Sequence, residues 1–285
     1  MAREHRTVTQ PRRAAVLGSP ISHSLSPALH EAAYRALGLD WEYGSIDVTV
    51  DRFPQVLDEL QADPTFGGVS LTMPLKEVGL AAADIASDIA RKTHAANTLI
   101  FRGGSIEADN TDPEGIVWAL NRAGIAAGAG AVVESAGIVG AGATARSTVA
   151  ALAHLGIAEV HVVARRPEAI NDLREVAETF GLRVFGHSWD DPASVLASHV
   201  VVSTTPRNVA DALVPALSSA PGVLLDVVYS PWPTSLAGAW AAAGGQVVSG
   251  LEMLVGQAGR QVELMTGRSA PLDVMLAAGL TAMGR

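Results

Sequence analysis

In the run Gly140-Ala141-Gly142-Ala143-Thr144-Ala145, small residues recur at the spacing that lets a main chain close around a pyrophosphate. An apolar run, Ser135 to Val139, precedes it and an Ala-rich stretch follows, so the expected succession is strand, tight turn, helix. Gly140 would permit the turn, Gly142 the approach of phosphate to backbone, and Ala145 the packing of helix on strand, with free N–H groups at the helix start facing the anion. The plain alternative is one more loop in a chain with 28 glycines. The strand and helix context favours dinucleotide binding. The next strand-like run, Glu159 to Val163, ends on Ala164-Arg165-Arg166. A carboxylate there would bond a ribose 2′-hydroxyl, whereas guanidiniums grip a 2′-phosphate in fork geometry and stack on adenine. The sequence therefore predicts NADP(H) over NAD, against the alternative of an ordinary solvated turn.

An enzyme that moves a hydride to or from a carbon bearing oxygen must also move a proton, which calls for a titratable side chain beside that oxygen. Cysteine is absent, and the eight histidines show no ligand spacing such as HExxH, so Lys and Asp are the better candidates. Lys76 follows the buried-type run in GGVSLTMPLK, and Asp112 closes the polar cluster Asp109-Asn110-Thr111-Asp112. Each has a bland alternative: a surface lysine on a first helical turn, and an N-cap for the helix after Pro113.

These groups need elements to hold them. Strand patterns fit 14–18, 41–48, 68–72 and 97–101, with helical spacing at 27–37, 53–61 and 75–90; Gly38 stands at a C-cap position. A second series opens after Asp112 with a helix at 115–122, a Gly/Ala-rich connector, and strands at 135–139, 159–164, 199–203, 223–228 and 246–248. A long helix runs from Gly250 to about Thr266, and a last one follows Pro271. Such alternation implies βαβ units and largely parallel sheets covered on both faces. The expected fold is α/β in two domains: an open, mainly parallel substrate domain and a Rossmann-type nucleotide domain, with a deep cleft between them. Residues 1–111, completed by helices at about 251–285, would form the first, and residues 112–250 the second.

A length of 285 residues fits two domains. The net charge of −9 leaves no basic face for nucleic acid. The basic start MAREHRTVTQPRR lacks an apolar h-region and reads as a frayed tail, with no signal peptide. The most apolar window, Gly124 to Ala145, is mostly Ala and Gly and is broken by Glu134, so no membrane span is expected. A cytoplasmic address accounts for the lack of cysteine.

The runs GSPISHSLSP with His30, GVSLTMPLK, Asn97 after Ala-Ala, NTD at 110–112, GAGATAR, Asp226 to Thr234 and Gly250 to Gln257 occur in an order that resembles the shikimate dehydrogenase family. The resemblance spans roughly Ala14 to the end. It implies reversible NADPH-dependent reduction of 3-dehydroshikimate to shikimate, in aromatic amino-acid biosynthesis, without a metal, by a monomer or homodimer. By position, Ser24 and Ser26 would bind the substrate carboxylate: two hydroxyl donors near the positive end of a helix hold an anion without a basic residue. Ser26 can serve as N-cap ahead of Pro27 at the same time. The resemblance makes Lys76 and Asp112 the catalytic pair near the C4 oxygen, Lys76 shuttling the proton and Asp112 orienting it. Thr72, Asn97 and Gln257 would contact ring hydroxyls and carboxylate, with Tyr229 close by. Gly140, Ala141, Gly142, Ala143, Thr144, Ala164, Arg165, Arg166, Thr204, Thr205, Pro206, Val227 and Gly250 would line the cofactor.

Three places depart from the family pattern. Ser70 stands where Asn is usual, Pro113-Glu114 replaces a Gly-containing turn, and Ser203-Thr204-Thr205-Pro206 replaces NATS followed by Gly. Two rivals follow: a quinate or quinate/shikimate dehydrogenase using NAD or both cofactors, and a non-catalytic NADP-binding sensor.

Overall fold

The computed structural model describes residues 10–126, 135–218 and 221–284; of the tail expected at residues 1–13, residues 1–9 lie outside the described residues, as do residues 127–134 of the connector, while Arg12 and Arg13 are not frayed but open the first strand and pair with the second. The first half runs β1 (Arg12–Gly18), α1 (Ser26–Leu37), β2 (Trp41–Asp47), α2 (Phe53–Ala62), β3 (Phe66–Leu71), α3 (Lys76–Ala81), β4 (Ile85–Ala86), α4 (Asp88–Thr93), β5 (Thr98–Arg102), β6 (Ser105–Asp109) and α5 (Asp112–Arg122). The second runs β7 (Ser135–Val139), α6 (Ala143–His154), β8 (Glu159–Val163), α7 (Glu168–Thr179), β9 (Arg183–His187), α8 (Ala193–Leu196), β10 (Val200–Ser203), a 3-10 helix (Ala210–Ala216), β11 (Val223–Asp226), α9 (Ser235–Ala242) and β12 (Gln246–Ser249). Two helices close the chain, α10 (Gly250–Thr266) and α11 (Leu272–Ala282).

Among the described residues the strands form two six-stranded sheets, ordered β2-β1-β3-β5-β6-β4 and β12-β11-β10-β7-β8-β9. The pairings described in the second sheet are all parallel. The fold is α/β with two mainly parallel sheets, as the sequence predicts.

Alternation along each strand explains the layering. Ala14 and Val16 of β1 pack with Leu29 and Tyr34 of α1, Val255 and Val262 of α10, and Met275 of α11. Ala15 and Leu17, pointing the other way, pack with Phe53 and Leu57 of α2. In the second sheet Ile138, Val162 and Val202 face α6 and α7, while Val139, Val163 and Val201 face α8 and α9. Helices α5 and α10 tie the two halves together. Ile116, Leu120 and Met253 join the core of the second sheet, while Trp118 and Leu251 join that of the first. Their axes approach closely at Gly115 and Gly256; a Cβ on Gly115 would lie 2.5 Å from the Met253 carbonyl oxygen.

The structure departs from sequence expectation in several places, among them the edge strand β9, which the sequence patterns do not predict. The helical segments expected over 75–90 are separated by a short strand: the Asp84 N–H donates to the Ile106 carbonyl, the Ile106 N–H donates to the Asp84 carboxylate, Ile85 pairs with Glu107, and Ser87 then caps α4. Pairing with β6 overrides helical spacing there. The antiparallel β5–β6 hairpin turns at Gly103 and Gly104, whose φ values of +57° and +85° suit a two-residue hairpin loop. Finally, the strand expected at 223–228 ends at Asp226, whose carboxylate accepts from the Val228 N–H and the Thr234 hydroxyl and so folds the next loop back. No described helix is long and apolar enough to cross a membrane.

Candidate active site

Two adjoining cavities open above the carboxyl ends of the strands, where open α/β sheets bind ligands. The smaller, of ≈ 250 Å³, receives residues from both halves. From the first sheet come Ser24 and Ser26 after β1, Ser70 and Thr72 at the end of β3, Lys76 at the start of α3, and Asp112 at the start of α5. Val227 and Tyr229 follow β11, and Gly250 and Gln257 belong to α10.

The loop carrying the serines is pinned from outside: the Ser19 hydroxyl and the Ile21 N–H both donate to Asp47, at 2.9 and 3.2 Å. Ser24 Oγ accepts the Ser26 N–H at 3.3 Å, leaving its own hydroxyl proton free to donate into the cavity. Helix α1 begins there with neither a side-chain cap nor an acidic residue in its first turn, so its positive end is left uncompensated. One turn on, His30 Nδ1 donates to the Ser26 carbonyl at 2.9 Å, while its Nε2 is buried without a partner. Burial lowers this histidine to about 4, the Ser26 bond acting the other way, and the ring is neutral at pH 7.

Lys76 Nζ and Asp112 Oδ2 form an ion pair, with side chains 16% and 2% exposed. The other carboxylate oxygen, Oδ1, accepts from Asn97 Nδ2 at 2.7 Å, and the same amide donates to Gln257 Oε1 at 2.7 Å. Asn97 is in turn oriented by the Thr111 N–H and the Thr98 hydroxyl, both of which donate to its Oδ1, at 2.9 and 2.8 Å. Asn97 is fully buried and lies behind the cavity wall, so in this conformation it reaches Asp112 and Gln257 and lines neither cavity. Burial raises the Tyr229 phenol, with a backbone contact from Leu25 opposing, which keeps it protonated as a donor.

Sequence reasoning missed the layer under this floor. Tyr43 donates to Ser70 Oγ at 2.7 Å, Ser70 donates to Gln261 Oε1 at 2.9 Å, and Gln261 donates to the Thr98 hydroxyl at 3.1 Å. Gln261 follows Gln257 by one helical turn, a spacing that puts both on one face and was legible in the sequence. Arg146 was likewise missed: it reaches across from α6 to the Thr93 carbonyl at 2.7 Å and to Glu77 at 2.6 Å.

The larger cavity, of ≈ 820 Å³, lies over the second sheet. Its walls include Gly140, Ala141, Gly142, Ala143 and Thr144 at the start of α6, Ala164, Arg165 and Arg166 after β8, and Thr204, Thr205 and Pro206 after β10. Gly140 has φ +109°, and a Cβ there would stand 2.5 Å from Thr204 Oγ1, so a glycine is required. Gly142 is extended, with open space above it. Helix α6 has no side-chain cap and no acid in its first turn. Free N–H groups, open space and two guanidiniums fit a phosphorylated dinucleotide. Val227 and Gly250, expected against the cofactor, line the smaller cavity instead; a Cβ on Gly250 would strike the Val227 carbonyl at 2.0 Å. Thr72, Lys76 and Thr144 line both cavities and mark where they meet.

Residues 16–99 match the family model of the shikimate dehydrogenase substrate binding domain, and residues 250–278 that of the shikimate 5'-dehydrogenase C-terminal domain. The shikimate dehydrogenase (NADP(+)) of Caulobacter vibrioides is 37% identical over 273 residues, 92% of this chain and 93% of that protein. The enzyme of the same name from Methanothermobacter thermautotrophicus is 33% identical over 268 residues, 91% of this chain and 93% of that protein. Of solved structures, Mycobacterium tuberculosis shikimate dehydrogenase superposes with a TM-score of 0.87 at 41% identity, covering 95% of this chain and 100% of that one. The shikimate 5-dehydrogenase of Thermus thermophilus, in complex with NADP(H) and shikimate, gives 0.81 at 32% identity, covering 95% and 99%.

Proposed function

The chain belongs to the shikimate dehydrogenase family, and from that membership we infer that it catalyses the reversible, NADP(H)-dependent reduction of 3-dehydroshikimate to shikimate. The observation that carries the reading is the Lys76–Asp112 pair standing where the two cavities meet. Bound NADPH would supply the hydride to the carbonyl carbon. The Lys76 ammonium gives the proton to the oxygen, and Asp112, itself held by Asn97, fixes the ammonium in place. Ser24 and Ser26 hold the substrate carboxylate at the open end of α1, and Thr72, Gln257 and Tyr229 surround the ring. Asn97 serves the site through Asp112 and Gln257. In the larger cavity Gly140 to Thr144 cradle the pyrophosphate, Arg165 and Arg166 receive the 2′-phosphate, and Thr204, Thr205 and Pro206 flank the nicotinamide side.

The first and second sheets correspond on this reading to a substrate domain, residues 1–111 with 251–285, and a nucleotide domain, residues 112–250. The distribution of cores supports it, since α10 and α11 pack on β1 and α1. A cytoplasmic address and a monomeric or homodimeric state go with the proposal. The rate of NADP reduction, measured with shikimate and with quinate and repeated with NAD, tests it. Shikimate with NADP is expected to be preferred; equal or greater turnover of quinate with NAD would replace the reading. Lys76→Ala should lower turnover by about 10²–10⁴-fold while the affinity for NADPH, read by fluorescence titration, stays unchanged.

A further inference from the structure

The geometry points to Trp189 as the residue on which the adenine ring of NADP(H) stacks, an inference that rests on the cofactor assigned above. Four neighbouring strands, β10, β7, β8 and β9, carry the cavity wall at their carboxyl ends: Thr204 to Pro206, Gly140 to Gly142, Ala164 to Arg166, and then Trp189. The cavity meets the smaller one at Thr72, Lys76 and Thr144, so the reacting nicotinamide belongs at that end. Pyrophosphate at the start of α6 then sends the adenosine over β8 and β9, toward Trp189.

Trp189 is the aromatic residue on this wall among the described residues. Part of it packs against the core of Val139, Val163 and Leu196, which fixes the indole. Its turn is closed: the Asp191 N–H donates to the Ser188 carbonyl at 3.0 Å and the Asp190 N–H to the Ser188 hydroxyl at 3.3 Å. A ring held by packing loses little entropy on stacking, and a purine face offers it offset π contact. With the guanidiniums of Arg165 and Arg166 on the same cavity wall, base and 2′-phosphate are gripped by separate side chains.

Adenosine 2′,5′-bisphosphate, which carries the adenine half alone, is the probe. Titrated into the intact protein it should quench tryptophan fluorescence, because Trp41, Trp118, Trp232 and Trp240 are absent from the cavity wall. Trp189→Phe should abolish the quench and keep the affinity, read by calorimetry, within about threefold, whereas Trp189→Ala should weaken binding by about tenfold or more. The KM for shikimate at saturating NADP+ should not move in either variant. No quench in the unsubstituted protein, or an unchanged affinity in Trp189→Ala, overturns the assignment. If Trp189→Ala does not fold, the quench and its loss in Trp189→Phe decide alone. Absence of NADP-linked shikimate turnover in the unsubstituted protein would instead strike the function proposed above, so the two failures are separable.

Discussion

At the scale of residues, the buried carboxylate at the centre of the site has both of its oxygens bonded. Asp112 is almost wholly removed from water, and a carboxylate so placed is stable only because Lys76 and Asn97 take both of its oxygens. Burial also leaves His30 exposed to acid. Its folded value of about 4 lies below the free value of 6.5, so the unfolded chain takes up the proton first as pH falls. The neutral ring's contribution is fully present above pH 6.5 and is lost as pH falls through 4, amounting to about 3 kcal/mol. Denaturant unfolding at pH 7 and pH 4.5 should therefore show a smaller loss of stability in His30→Gln than in the unsubstituted chain. An identical loss in both would show that His30 is not the group being titrated.

At the scale of elements, helix starts do much of the electrostatic work. Helices α1 and α6 both begin without a side-chain cap and without an acidic first turn, and each opens on one of the two cavities. The starts of α4 and α9, which face neither cavity, are capped by Ser87 and Thr234. The turn before α6 is the more demanding of the two, since Gly140 has a positive φ and no room for a Cβ. Gly140→Ala should raise the Kd for NADPH by at least about tenfold and lower stability by about 1–3 kcal/mol, with both read from calorimetric titration and thermal unfolding. Unaltered binding would mean that the turn can relax without cost.

At the scale of the whole molecule, the chain leaves its first sheet at α5 and returns through α10, so the two helices that cross between the sheets also carry Asp112 and Gln257 to the substrate cavity. Binding and folding of the first half are therefore coupled to the C-terminal segment. A chain ended at Ser249 loses Leu251, Val255, Val262 and Met275 from the core around Leu29 and Tyr34. It should show no shikimate-induced rise in Tm, while the full chain at about 100 times Kd should gain about 2.7 kcal/mol. A persistent rise in the shortened chain would refute the coupling.

What the sequence settled by itself was local. Period-two and period-3.6 patterns, glycines at turns and the GAGATA spacing specify strand, turn and helix because they act through dihedral preference and side-chain direction over a few residues. The order of short motifs was enough to place Lys76, Asp112 and the serines in one family pattern. The Gly103-Gly104 pair is itself a hairpin signal in the sequence. Tertiary structure decided the rest. That Asn97 meets Gln257 rather than open cavity joins residues 160 apart in sequence, and that Ser70 meets Gln261 joins residues 191 apart. Such contacts depend on the path of the whole chain between them. It is the same path that turns Val227 and Gly250 toward the smaller cavity and, by bringing β6 alongside, draws Ile85 out of a helical pattern into an edge strand paired with Glu107.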